Sequence, residues 1–152
     1  MVRQKIKTQS IVPRIDGVER DVEKLQKLGE LPLSRFADED SFIKAQFYLR
    51  RALEAVFHVG AHLLTRLPGG RAAEYKTIAL KLGETGIVPK SFAEKKLKAM
   101  AGYRNQLTHF YADVKPEEIY RIIKEDLRDF NTFLEAIRRV LNNPEKFNLS
   151  VE

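Results

Sequence analysis

The segment Gly102-Tyr103-Arg104-Asn105-Gln106-Leu107-Thr108-His109-Phe110-Tyr111 concentrates an arginine, an asparagine, a histidine and two tyrosines where a bundle helix should present apolar residues. A histidine titrating near neutrality can take the proton of a ribose 2′-OH or give one to a leaving 5′-oxygen. An arginine supplies a planar fork for the charge that grows on phosphate oxygens. Arg104 and His109 therefore have the chemistry for phosphodiester cleavage without a metal. The same residues also fit a capped helix end with a satisfied histidine and a surface arginine, since R-x4-H alone arises often by chance.

Two geometric constraints follow. Leu97, Met100, Arg104, Leu107 and Tyr111 recur at heptad-like spacing, which places Arg104 and Tyr111 on the inward stripe of a helix. Burying an arginine there without a partner is costly, so a water-filled cleft or a subunit interface is expected beside it. Arg104 and His109 stand about 140° apart around a regular helix. Either the helix unwinds near Thr108, or a second copy completes the site across a two-fold axis.

Other candidate chemistry is weaker. His58 and His62 share a helix face at i and i+4, but no glutamate stands between them in the HExxH manner, and both lie in the apolar run AVFHVGAHLL. They read as helix-packing histidines; a metal site built from His58, His62 and His109 is the lesser alternative. Leu67-Pro68-Gly69-Gly70-Arg71 lacks the P-loop pattern and follows no strand, so it reads as a helix–helix turn. The absence of cysteine excludes disulfides, a cysteine nucleophile and thiolate metal sites.

Helices must position these groups. Ile15, Val18, Val22 and Leu25 define a first helix opened by Pro13 and stopped by Gly29, with residues 1–12 as a loosely attached arm. Asp38 caps a long second helix to about Arg66, broken by Pro68-Gly69-Gly70. A third covers Ala72–Gly83. Ser91 and Glu94 form a capping-box signature for a fourth, from Phe92 to about Thr108. Lys115-Pro116-Glu117-Glu118 opens a fifth whose stripe runs from Ile119 to Leu141. No sheet is expected. The predicted organisation is all-α: an antiparallel four-to-five-helix bundle over 13–143, flanked by the 1–12 arm and a 144–152 tail.

The 152 residues carry 27 Lys/Arg and 21 Asp/Glu, a net charge of +6. The excess belongs to the middle: residues 44–111 hold twelve basic and four acidic side chains. Such a face attracts polyanions, although composition alone is equally met by a solvated surface. The longest apolar stretch, Val56–Leu64, is too short to span a membrane, and no signal-peptide pattern opens the chain, so a cytoplasmic location is expected.

The residues 102–111 resemble the R-x4-H-x-Y signature of HepT-like toxins, a branch of the HEPN superfamily of small helical ribonucleases. Asn105, the polar residue after the arginine, is also typical of HEPN motifs. Tyr111-x-x-Val114-x-x-Glu117-x-Ile119-Tyr120-x-Ile122 is similar to the family's start of the last helix, and Ala52–Leu64 to its long second helix. The resemblance implies a HEPN-like homodimer whose paired motifs cut RNA, possible tRNA substrates included, without metal or cofactor. It implies Arg104 and His109 as catalytic residues and Asn105 and Tyr111 as supporting ones. It further implies a minimal nucleotidyltransferase antitoxin (MntA-like) that transfers AMP to Tyr111. Lys90, Lys95, Lys96 and Lys98 are the expected phosphate contacts. The competing expectation is a non-catalytic helical module that binds substrate for, or regulates, such a nucleotidyltransferase.

Overall fold

The apolar spacing folds into helices over most of the chain. In a computed structural model describing residues 4–152, these are α1 (Thr8–Gly29), a short α2 (Leu33–Phe36), α3 (Glu39–Leu64), α4 (Tyr75–Glu84), a short α5 (Lys90–Phe92), α6 (Lys98–His109), α7 (Pro116–Glu125) and α8 (Arg128–Asn142). A single π turn, Ala93–Leu97, joins α5 to α6, and 3-10 turns occupy Tyr111–Asp113 and Pro144–Phe147.

The pairing of α1 with α3 is the most extensive contact in the molecule. Ile11, Ile15, Val18, Val22 and Leu25 are buried on α1, and Leu49, Leu53, Val56 and Phe57 on α3. One carboxylate enters this seam. Asp21 on α1 is buried and accepts two bonds from Arg51 on α3, Nε at 2.9 Å and Nη2 at 2.5 Å. A bidentate arginine satisfies a buried carboxylate in one geometry only, which pins the register of the two helices. The second half of α3 carries α4 and α6, and these three helices hold the site described below. Gly60 on α3 permits the approach of α4: a Cβ there would lie 2.8 Å from Leu82 Cδ1.

The chain ends differ most from the sequence reading. Pro13 does not open the first helix, which starts at Thr8 with Lys7 as its N-cap. The amide that Pro13 lacks would have bonded the carbonyl of Gln9, an exposed residue whose carbonyl water can satisfy. Nor are the ends detached or free of sheet. β1 (Gln4–Ile6) pairs in parallel with β2 (Leu149–Val151), Gln4 opposite Leu149 and Ile6 opposite Val151. Ile6, Ile11 and Leu149 are fully buried. Their burial recruits both termini to the core, whereas strands of three residues are too short to show alternation in a sequence. The first three positions of the expected arm lie outside the described residues.

His62 belongs to this terminal clasp. Its Nε2 accepts the Lys7 backbone N–H at 3.2 Å, while Arg66 binds the carbonyls of Lys5 and His62. Burial first, then the charges of Arg66, His58, Lys7 and Arg14, lowers the His62 pKa from 6.5 to about 4. An acceptor must be neutral, so the folded state binds this proton less readily than the unfolded chain. The His62 contribution is therefore complete above pH 6.5 and is lost progressively as pH falls towards 4. H62Q is expected to flatten the dependence of the urea midpoint on pH across that window, and an unchanged slope would contradict the assignment. His58, by contrast, is exposed and does not pack between helices as the sequence reading expected.

Two helix boundaries also shift. Pro89 takes the N-cap position of α5, no side-chain capping bond forms, and the Ser91/Glu94 box is not used. The fifth helix of the sequence reading is two helices, broken at Asp126–Leu127. The Asp126 carboxylate lies 3.4 Å from Tyr103 Oη and 3.6 Å from Arg121 Nη1, holding the break in place. The apolar face continues across it, which is why the stripe reads as unbroken.

Candidate active site

The motif lies on α6 and the turn that follows it. Leu97, Met100, Ala101 and Leu107 turn inward and are buried, so the helix is anchored on both sides of Arg104. α6 stays regular to His109. Phe110 (φ −132°, ψ 32°) then ends it, its N–H bonding Gln106 O, and Tyr111–Asp113 form the 3-10 turn. The unwinding at Thr108 that would have turned His109 toward Arg104 does not occur.

Arg104 is half-buried, its side chain 21% exposed. Its guanidinium lies 4.2 Å from the centroid of the Tyr75 ring, and Nε stands 3.9 Å from Glu54 Oε1. Tyr75 in turn stacks on Phe57 at 4.9 Å with the rings 23° from parallel. Among the described residues, two buried side-chain polar atoms have no hydrogen-bond partner: Arg104 Nε and Thr108 Oγ1. They are four residues apart and so lie on one face of α6. Unsatisfied buried polar atoms are rare in native proteins, and their coincidence within the motif singles this face out as a candidate binding surface.

Arg104 and Asn105 open onto a cleft of about 520 Å³, completed by Ala73, Glu74, Tyr75 and Lys76. The loop that brings Ala73 and Glu74 there follows Gly70, which presses on the end of α3. A Cβ at Gly70 would meet the Leu64 carbonyl at 2.1 Å. Lys81 ties the same loop by bonding the carbonyls of Gly69 and Arg71.

Tyr111 is not on the inward stripe. The helix has ended before it, and it is 67% exposed. With Leu107 it lines a second depression, of about 380 Å³, against Ile43, Gln46, Phe47 and Arg50 of α3. His109 and Phe110 are exposed beside it. One chain therefore does not bring its motif together: Arg104 and Asn105 face one cleft, Tyr111 the other, and His109 projects from the helix end. Lys90, Lys95, Lys96 and Lys98 are all exposed, at the opposite end of the π turn and α6. Lys96 also faces Asp129, whose pKa is raised by burial and held back by that lysine's charge. Glu54, Tyr75, Lys76 and Arg50 are site residues that sequence reasoning missed. Tyr75 falls in with the apolar spacing of Ile78, Ala79 and Leu82, which gives no sign of such a role, and nothing local distinguishes the other three. Among the described residues, no three His, Cys, Asp or Glu gather as metal ligands, and no helix is long and apolar enough to cross a membrane.

This arrangement of helices is shared with solved toxins. A tri-AMPylated HEPN toxin of Shewanella oneidensis, in complex with MNT antitoxin, superposes with a TM-score of 0.76 at 20% identity, covering 86% of this chain and 97% of that one. A toxin–antitoxin structure with AMP-PNP gives 0.75 at 19% identity, over 85% and 96% of the two chains. YutE of Bacillus subtilis, a cytosolic protein of unknown function, gives 0.71 at 20% identity, over 87% and 91%. The fold is thus that of the HEPN toxins. The chain belongs to the Ribonuclease HepT-like family, whose model matches residues 18–137. It is also 22% identical over 139 residues to the tRNA nuclease HepT of Aphanizomenon flos-aquae (strain 2012/KM1/D3), covering 91% of this chain and 94% of that protein.

Proposed function

We propose that this chain is a metal-independent endoribonuclease toxin, active as a homodimer and neutralised by an MntA-like nucleotidyltransferase that transfers AMP to Tyr111. The observation that carries the reading is the geometry of α6. It holds Arg104 beside a cleft with Nε buried and unpartnered, yet projects His109 from a different side of a helix that stays regular. A second copy supplies what one lacks. The exposed side chains of Ile43, Phe47 and Phe110 support a self-association surface next to the motif that leaves Tyr111 accessible.

In the paired site one His109 takes the proton of the ribose 2′-OH. The 2′-oxygen attacks the phosphorus, the bond to the 5′-oxygen breaks, and the second His109 protonates that leaving oxygen. A 2′,3′-cyclic phosphate and a 5′-hydroxyl result. Arg104 meets the charge on the phosphate oxygens, and Asn105 orients groups at the cleft wall. Lys98 lies roughly 16 Å along the axis from His109. It and Lys90, Lys95 and Lys96 accordingly hold flanking phosphates rather than the reacting one. Neutralising these lysines should weaken RNA binding and make it less sensitive to salt, with the cleavage step itself unchanged.

Transfer RNA is the first substrate to test, since the curated relative is a tRNA nuclease. Cellular RNA and tRNA are incubated in EDTA with the wild type, R104A and H109A; equally intact RNA in all three would defeat the proposal and favour the non-catalytic module. Tyr111 is exposed for attack on the α-phosphate of ATP with release of pyrophosphate. The AMP so attached would add charge and bulk next to the motif. Mass spectrometry after incubation with the cognate nucleotidyltransferase and ATP is expected to find AMP on Tyr111 and none at that position in Y111F. Modification confined to other residues would contradict the assignment.

A further inference from the structure

Arg104 is held by a column of side chains drawn from three elements. Phe57 of α3 stacks on one face of the Tyr75 ring, from the start of α4, and the Arg104 guanidinium covers Tyr75 at 4.2 Å. From α3, one turn before Phe57, Glu54 approaches the Nε edge of the same guanidinium at 3.9 Å, a distance too long for a hydrogen bond but within ion-pair range. A guanidinium has two faces and a set of edges. Here the ring takes one face and the carboxylate stands at the buried Nε edge. The terminal Nη nitrogens remain, and they are the atoms that bind phosphate as a fork. Arginine carries four rotatable side-chain bonds, so an unsupported Arg104 would have to be ordered afresh at each turnover.

We propose that Tyr75 and Glu54 are positioning residues for Arg104: the ring sets the plane of the guanidinium and the carboxylate sets its rotation, so that the Nη pair faces the cleft before RNA arrives. The proposal rests on the nuclease reading for its consequence in catalysis, but the placement of the arginine is a property of the free protein. The role assigned to both is exercised on the arginine, although Tyr75 also lines the cleft. Both act through Arg104, and both lie far from it in sequence. The ring is the necessary part of Tyr75, since its hydroxyl takes no part in the column. The weak Glu54 contact is equally meaningful. A tight salt bridge would compete with phosphate for the arginine, whereas a carboxylate at 3.9 Å, itself partly exposed, orients the group and leaves it free to engage an anion.

The test has two arms on the full-length protein. In the first, the Arg104 Nε–H resonance is assigned by its loss in R104K. It is expected to exchange slowly with water and to be displaced by the Tyr75 ring current. In Y75L it should move to the position of a free arginine, in Y75F it should stay, and in E54Q its exchange should accelerate. A wild-type resonance already at the free-arginine position overturns the proposal, whether or not the protein cuts RNA. In the second arm, cleavage of tRNA is measured for the same variants. Y75L is expected to lower kcat about 10- to 100-fold with little change in KM, the scale of a misplaced catalytic group. Y75F should retain activity. In an R104A background, Y75L and E54Q should cause no additional loss, because their only route to the reaction has been removed. Additive losses, or full activity in Y75L, overturn the catalytic role. Inactivity of the wild type overturns the nuclease reading, and the resonance of the first arm then decides the arginine's placement alone. Melting temperatures identify any variant that fails to fold, and Y75F retains the ring if Y75L is one of them.

Discussion

H109A is expected to lower RNA cleavage by about 10²- to 10⁴-fold, the range spanned by removing a general acid or base, with no loss of folding stability. The two halves of that expectation come from one fact. His109 is the last residue of α6, exposed, and outside the core. Under the proposed mechanism its loss removes proton transfer and nothing else. R104A should also inactivate, but it additionally strips the cover from Tyr75 and so should lower stability slightly. The proposed homodimer has a sharper consequence. If the two histidines serve one shared cleft as base and acid, a mixed dimer with a single His109 is inactive. Mixing unfolded wild type with H109A and refolding them together should then make activity fall as the square of the wild-type fraction. A linear fall would mean that each copy works alone, and the paired-motif mechanism would be wrong.

Removing residues 144–152 is expected to produce the largest change in stability of any change outside the main core. The tail buries Leu149 completely, pairs β2 with β1, and covers Ile6, which is also fully buried. The L149A substitution alone should cost about 2–5 kcal/mol, as for other leucines removed from a core, and deletion should cost more because Ile6 is then uncovered. Glu152 N–H bonds the Ile6 carbonyl at 3.0 Å and Thr8 Oγ1 bonds the Glu152 carbonyl at 3.3 Å, so the start of α1 should fray as well. Urea denaturation of the truncated chain measures the effect. A midpoint equal to that of the intact chain would show that the clasp contributes nothing. The motif on α6 is not part of the clasp, so truncated protein that remains folded at low temperature should still cleave RNA.

The two predictions differ in how far the sequence foresaw them. His109 was legible as a candidate acid or base because chemistry is carried by residue type, and its spacing from Arg104 already posed the problem that a regular helix presents. The structure closed one of the two solutions by keeping α6 helical through His109. The tail gives no such signal: nine residues containing one proline and one asparagine have no periodicity, and strands of three residues leave none to find. Tyr111 was misread for a related reason. Heptad counting assumes that the helix continues, and the Phe110 backbone ends it one residue earlier.

The sequence by itself determined the helical body, through apolar residues at three- and four-residue spacing, and the chemistry available to the motif, through the identities of Arg104, Asn105, His109 and Tyr111. These are local properties, written within one or two turns of helix. The tertiary structure decided the rest: that Tyr75 and Glu54 meet Arg104, that Arg104 and Tyr111 face different clefts, and that Gln4 pairs with Leu149. Each of those depends on contacts between residues distant in the chain. Such contacts are set by which helix faces bury the most apolar surface together, a property of the whole packed core rather than of any segment.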